Sequence, residues 1–152
     1  MTALELRIPP LLLLLLCAGC MWLIAGCPVW PAPPPMHALA ALLLWLAGLG
    51  VALSGVLAFR RAQTTVDPTR PERAGRIVSS GIYRWTRNPM YLGMTLVLLA
   101  WALWLGAPAA AGLLPVFVLW ISRWQIVPEE RALAARFGSE YRAYCARVRR
   151  WI

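Results

Sequence analysis

The chain has 152 residues, 61% of them hydrophobic and 14% charged, whereas a soluble domain is usually about 45–50% apolar and about 25% charged. That length suits one domain and leaves no room for a soluble core beside a separate membrane anchor. Fifteen basic residues, all arginine, stand against six acidic ones. In a soluble protein that balance would point to nucleic acid, but the placement of the arginines along the chain excludes that reading.

Residues 8–30 carry no charge and exceed the roughly 20 residues needed to cross the hydrocarbon layer as a helix. A cleaved leader is the competing reading, but the run is longer than a leader's apolar core and Arg7 is its lone flanking positive charge. Cys17 and Cys20 form a C-x-x-C inside this run and read as small packing residues. No second such pair or histidine cluster completes a metal site. After a Pro-rich turn at 28–35, residues 36–59 form a second charge-free run, with the single histidine, His37, at its start. Gly48, Gly50, Ser54 and Gly55 on this second helix would let another helix approach closely, as small residues do in bilayers. Residues 60–87 are a polar, arginine-rich connection with many turn formers. Asn88, a favoured N-cap, and Pro89, suited to the first helical position, open a third charge-free stretch, 88–122. Gly106-Ala107-Pro108 divides that stretch into two short helices joined by a tight turn. In the tail, Pro128 followed by Glu129 and Glu130 marks a new helix start, because acids in a first turn are favoured by the helix dipole. Leu133, Phe137, Tyr141, Tyr144 and Val148 then recur at helical spacing among arginines, and Gly138 breaks the pattern into two short amphipathic helices. Such helices lie on a membrane surface or lid a pocket between helix ends.

The expected architecture is all-α: a multi-pass membrane protein with four transmembrane helices, the last two a hairpin, and amphipathic C-terminal helices. One domain, 1–152, comprises two N-terminal helices (1–59), the connection (60–87), the hairpin (88–126) and the tail (127–152). Every arginine except Arg7 falls in 60–87 or 123–150, while the loops 29–35 and 106–112 carry no charge. The positive-inside rule then places both termini and the arginine-rich segments in the cytoplasm. Anionic membrane lipids would reinforce that orientation.

Polar groups gather where the cytoplasmic ends of the third and fourth helices meet the tail. Singly, each has a plain explanation: Arg84 and Arg87 as headgroup anchors, Asn88-Pro89 as a cap, Tyr83, Tyr91, Tyr141 and Tyr144 as interfacial aromatics. Together they offer more. A helix N-terminus presents free N–H groups to a carboxylate or phosphate. Paired glutamates accept from an ammonium or from ribose hydroxyls, and aromatic faces hold a sulfonium or stack on an adenine. S-adenosylmethionine carries all of these groups, although the fit alone does not name it.

The run Arg87-Asn88-Pro89-Met90-Tyr91-Leu92-Gly93 resembles the R-H-P-x-Y-x-G signature of the isoprenylcysteine carboxyl methyltransferases, with phospholipid methyltransferases as more distant relatives. Glu129-Glu130 sits where that family carries its Glu-Glu pair. Phe137-Gly138-x-Glu140-Tyr141-x-x-Tyr144-x-x-Arg147-Val148 is similar to its C-terminal pattern. The resemblance covers the chain from Gly81 onward. It implies S-adenosylmethionine in a cleft facing the cytoplasm, roofed by the C-terminal helices, with a lipophilic acceptor entering sideways from the bilayer. By position, Arg87, Asn88, Tyr91, Glu129 and Glu130 would hold the cofactor together with Tyr83, while Pro89 and Gly93 would shape the close approach of the backbone. Arg147 matches a family arginine near the acceptor, and Glu130 is the nearest base for an amine. The family's histidine is replaced by Asn88, which cannot titrate near neutral pH. Many bacterial members carry asparagine there, which points to a bacterial inner membrane. The implied reaction is methyl transfer to a hydrophobic or membrane-delivered carboxylate, thiol or amine. Two rival readings are an NADPH-dependent membrane reductase of related fold and a non-catalytic protein that binds lipid or a partner. A soluble-type methyltransferase is excluded, because the chain lacks alternating strands and helices.

Overall fold

A computed structural model describes residues 5–6, 8–27, 35–62 and 75–152. The proline-rich turn, Arg7 and the middle of the arginine-rich connection lie outside the described residues. The described residues are helical, with no strand among them. In chain order the elements are α1 (Pro10–Ile24), α2 (Pro35–Arg61), a 3-10 turn (Gly81–Arg84), α3 (Pro89–Leu105), α4 (Pro108–Ala111), α5 (Leu113–Ile121), a π turn (Ser122–Ile126) and α6 (Val127–Arg147).

Two stretches are long and apolar enough to cross a membrane: Met36–Arg61, and Pro108–Arg147, which is apolar up to Ser122 and charged beyond it. Helices α1 and α3 are apolar but shorter. On α1 and α2 large side chains such as Leu11, Leu15, Leu23, Leu39, Leu43 and Leu53 are exposed. A helix that is hydrophobic all round needs an apolar surrounding on its outer face as well as its inner one.

The closest packing is between α2 and α3, and small residues permit it. A Cβ placed on Gly93 would fall 2.5 Å from the Gly48 carbonyl oxygen and 2.8 Å from the Ala52 Cβ, and one on Gly55 would meet Pro89 Cγ and Met90 Cγ at 3.1 Å. The expected small-residue face therefore serves this crossing, through Gly48 and Gly55. Gly50 faces away and would meet nothing within 4 Å. Against the other side of α3 lies the core of Met21, Leu98, Ala102, Ala110, Phe117, Ile121 and Ile126. The Trp101 indole N–H ties α3 to α1 by donating to the Ala18 carbonyl at 3.0 Å.

Helix ends fall largely where the sequence puts them. Pro89 opens α3, and Gly106 closes it in the left-handed region at φ 62°, with Pro108 starting the return. Gly138 departs from helical geometry at φ 51° and ψ −116° and kinks α6. Two expectations need correction. Asn88 occupies the N-cap position of α3, but its side chain makes no capping hydrogen bond. Its backbone N–H is instead served by the Thr86 hydroxyl at 3.1 Å. Glu129 and Glu130 do fall in the first turn of α6, with Pro128 ahead of them, but that turn is not a free end. The backbone at Ile121, Ile126 and Val127 is all right-handed helical, so α5 runs through the π turn into α6.

Pro128 gives the physical reason for that π turn. It has no N–H for the Trp124 carbonyl one turn earlier, and its ring crowds that carbonyl. A widened turn relieves the crowding. The orphaned Trp124 oxygen takes a hydrogen bond from the backbone N–H of Leu6 at 3.1 Å. Beside it, buried Glu5 accepts from Arg131 at 2.7 Å and lies 3.6 Å from Arg123. The N-terminal segment is thus docked onto the bend that leads into α6.

Candidate active site

At the end of the molecule where α2 stops, α3 starts and α6 folds over, a cavity of about 100 Å³ is lined by Tyr83, Arg87, Asn88, Tyr91, Glu129, Glu130, Tyr141 and Tyr144, with Phe59, Arg76 to Val78, Met90 and Leu133. Each wall has a local cause. The 3-10 turn, entered through Gly81 at φ 61°, brings Tyr83 under Phe59, ring centroids 5.3 Å apart and edge to face. Tyr91 sits on the first turn of α3, which Pro89 fixes. The helical spacing of the tail turns Tyr141, Tyr144 and Val148 inward as one buried cluster, with Ile77, Leu133 and Phe137 against it. The Tyr144 hydroxyl donates to the Tyr83 carbonyl at 2.8 Å, locking the tail to the 3-10 turn. The tail does lid a pocket between helix ends.

The two glutamates stand in different electrostatic settings. Glu130 is ion-paired twice: Arg150 donates to both of its oxygens at 3.0 and 2.6 Å, and Arg87 Nη2 lies 3.3 Å away. Glu129 has no such cation and accepts from the Tyr91 hydroxyl at 2.5 Å. Loss of solvation pushes its carboxyl up to about 8; the Tyr91 hydrogen bond opposes that rise and the Glu130 charge adds to it. Burial thus favours the protonated form of Glu129. Burial likewise holds the Tyr83, Tyr141 and Tyr144 hydroxyls above the usual phenol range, so all three stay neutral donors.

Six of the expected cofactor residues, Tyr83, Arg87, Asn88, Tyr91, Glu129 and Glu130, converge on this cavity. Pro89 and Gly93 lie behind it in the α2–α3 crossing, where their close approaches are to α2. Arg147 is exposed, and its Nε donates back to the Ala143 carbonyl at 3.3 Å rather than into the cavity. Just before the start of α3, Arg87 N–H donates to the Arg149 carbonyl at 3.0 Å.

Sequence reasoning passed over Thr86, which is buried, Arg76 and Arg150. Only the reversal of the chain at Val148, where the backbone becomes extended at φ −124° and ψ 129°, brings Arg150 back onto Glu130. The same reversal lets Asn88 Nδ2 donate to the Arg150 carbonyl at 2.9 Å. Asn88 thus has a hydrogen-bonding role for which titration is not needed.

The donor set suits a ligand with anionic and cationic ends. Tyr83 Oη and Arg87 Nε are buried without a hydrogen-bond partner, and a buried donor left unpaired is costly unless a ligand or water meets it. Acceptors for a cation line the same cavity, on Glu129 and Glu130. The cavity itself is smaller than the roughly 300 Å³ at which ligand pockets begin. It shares Arg76, Ile77 and Val78 with a neighbouring groove of about 640 Å³, lined also by Arg61, Ser79 and Ser80.

Comparison with known proteins supplies the family. No solved structure matches the chain. Over 63 residues, 41% of this chain and the whole of the other, it is 49% identical to an uncharacterized protein of Haemophilus influenzae. The sequence model of the phospholipid methyltransferases matches residues 36–140, a span that runs from α2 through the cavity-lining turns of α3 and into the kinked α6. The chain belongs to the phospholipid methyltransferase family.

Proposed function

We propose that this protein is a multi-pass membrane methyltransferase that uses S-adenosylmethionine at its cytoplasmic face. In this reading α1, α2, α3 and the α4–α5 run are the four transmembrane helices of a single domain. The arginine-rich segments lie in the cytoplasm of a bacterial cell, and α6 lies at the inner-membrane surface. The observation that carries it is the cavity itself. In a chain of a methyltransferase family, two buried donors without a hydrogen-bond partner, Tyr83 Oη and Arg87 Nε, belong to residues that line one tyrosine-rich cavity together with two glutamates.

When bound, S-adenosylmethionine supplies a methyl group activated by its sulfonium. The residues around the cavity would do the rest by positioning and exclusion of water, which suit a displacement in which charge is lost. Arg87 and Tyr83 would bind the amino-acid carboxylate. Glu129 and Glu130 would take the ammonium and the ribose hydroxyls. Tyr91, Tyr141 and Tyr144 would present ring faces to the cationic and adenine parts. Tyr144 and Leu133 would hold the tail closed against water.

The acceptor is a hydrophobic or membrane-delivered carboxylate, thiol or amine. A carboxylate or thiolate arrives nucleophilic, and no base is needed. An amine must lose a proton, and of the two glutamates Glu129 is the better suited. Its carboxyl is pushed up to about 8, near the pH at which a general base works best. Glu130, held by two arginines, serves as a fixed negative charge.

Calorimetric titration of the detergent-purified protein with S-adenosylmethionine and with its demethylated product tests the reading. Saturable binding that disappears in Glu129→Ala/Glu130→Ala is expected. A folded, lipid-supplemented protein that binds neither compound, or that binds NADPH instead, would overturn it.

A further inference from the structure

The last residues of the chain lie across the site rather than trailing from it. After α6 ends, the backbone becomes extended at Val148, and the last residues lie against the start of α3. The Arg149 carbonyl accepts from Arg87 N–H, and the Arg150 carbonyl accepts from Asn88 Nδ2. The Trp151 indole donates to Ser122 Oγ at 3.3 Å and packs on the main core. These contacts fix the backbone on both sides of Arg150. Its guanidinium is therefore delivered to one place, and there it meets both oxygens of Glu130.

That geometry differs from an ordinary surface ion pair. A fork meeting a carboxylate with two parallel hydrogen bonds sets the orientation of the carboxylate plane as well as its distance. Glu130 is mostly shielded, with 18% of its side chain exposed, while Arg150 keeps 40%. Arg150 thus stands on the solvent side of Glu130, and Arg87 flanks the same carboxylate within the cavity wall. Without Arg150, Glu130 would be free to turn and to pair with Arg87 alone. Arg87 would then be drawn from whatever the cavity binds.

We propose that Arg150 is a positioning residue of the methyl-transfer site: held by the extended C-terminal strap, it fixes Glu130 in orientation and keeps Arg87 available to the cofactor's carboxylate. The inference rests on the reading of Glu130 and Arg87 as cofactor-binding residues. Arg150 itself does not line the cavity, and its effect passes through Glu130. The neighbouring Arg149 side chain is exposed, and it has no part in this arrangement beyond its backbone carbonyl.

The test is a double-mutant cycle read as the dissociation constant for S-adenosylmethionine in detergent, using the full chain, Arg150→Gln, Glu130→Gln and the double variant. Arg150→Gln should weaken binding roughly tenfold, the loss of one charge-assisted contact acting at one remove. In the Glu130→Gln background the same change should have no further effect, because the group through which Arg150 acts is gone. Arg150→Lys should recover only part of the affinity, since an ammonium cannot set the carboxylate plane. Arg149→Ala should bind like the unaltered protein. A merely structural strap would weaken binding equally in both backgrounds and follow the loss of thermal stability; that outcome overturns the proposal, as does an Arg150→Gln affinity equal to that of the unaltered chain. An unaltered chain that binds no S-adenosylmethionine overturns the functional reading and this inference with it, whereas binding that is indifferent to Arg150 overturns the inference alone.

Discussion

The two halves of this molecule solve opposite problems with the same helical backbone. Helices α1 and α2 present leucines and tryptophans outward, and α2 meets its neighbour by backbone-to-backbone contact at glycines. The 3-10 turn, the start of α3, α6 and the residues after it instead meet through named polar pairs: Tyr91 with Glu129, Arg150 with Glu130, Tyr144 with Tyr83, Asn88 with the Arg150 carbonyl. In an apolar surrounding, burial of further apolar surface adds little between helices, so shape has to hold the first half together. In the second half, direction matters, and hydrogen bonds set direction. The lesson is that the first half can tolerate many apolar exchanges on its outer face, while the second tolerates few anywhere.

That contrast can be broken most severely at the crossing. Gly93→Ala should destabilise the protein by about 3 kcal/mol, since even one methyl meets the Gly48 carbonyl and an overpacked contact between two backbones has no flexible side chain to yield. Gly50→Ala, two residues from Gly48 but in open space, should be neutral or slightly stabilising. Thermal unfolding in detergent separates the two.

The polar half breaks through ligand binding rather than folding. Glu129→Gln should cost about 2 kcal/mol of cofactor affinity, the value of a charge-assisted contact, measured by calorimetry, with little loss of thermal stability. A finer reading comes from pH. The folded carboxyl of Glu129, at about 8, lies above its ordinary value of 4.5, so in that interval the folded protein holds a proton that the unfolded chain has released. Stability is therefore full below the ordinary value and falls as pH rises towards 8. Binding of a cationic ligand runs the other way, strengthening up to about tenfold per unit between about pH 6 and 8 as Glu129 ionises. Glu129→Gln should flatten both profiles. The smallest effect belongs to the N-terminal segment. Glu5→Ala should lower stability by about 1 kcal/mol, because its arginine partners are more than half exposed and water takes over much of their pairing.

Much of this arrangement was legible in the residues. Pro89, Gly106 and Gly138 act through local backbone geometry, which a sequence states directly, and the inward tyrosines of α6 follow from helical spacing. The helix through Ser122–Ile126 was hidden, because the relief of Pro128 depends on a backbone N–H from Leu6 far away in the chain. The place of Arg147 near an acceptor came from the family resemblance alone, and its side chain is exposed. Arg150 reaches Glu130 because the backbone becomes extended at Val148, a change that helical spacing does not show.

The docking of the N-terminal segment on the π turn also sets a timetable. Glu5 and Arg131 are 126 residues apart in the chain, and chains fold from the N-terminus as they are made. Glu5 must therefore wait until Arg131 has been added before this contact can form. A nascent chain stalled before residue 127 would already contain α1 to α5, yet it would lack Glu129, Glu130 and the roof of the cavity. Assembly of the apolar helices and completion of the site are thus separate events, and the contact between Glu5 and Arg131 belongs to the second.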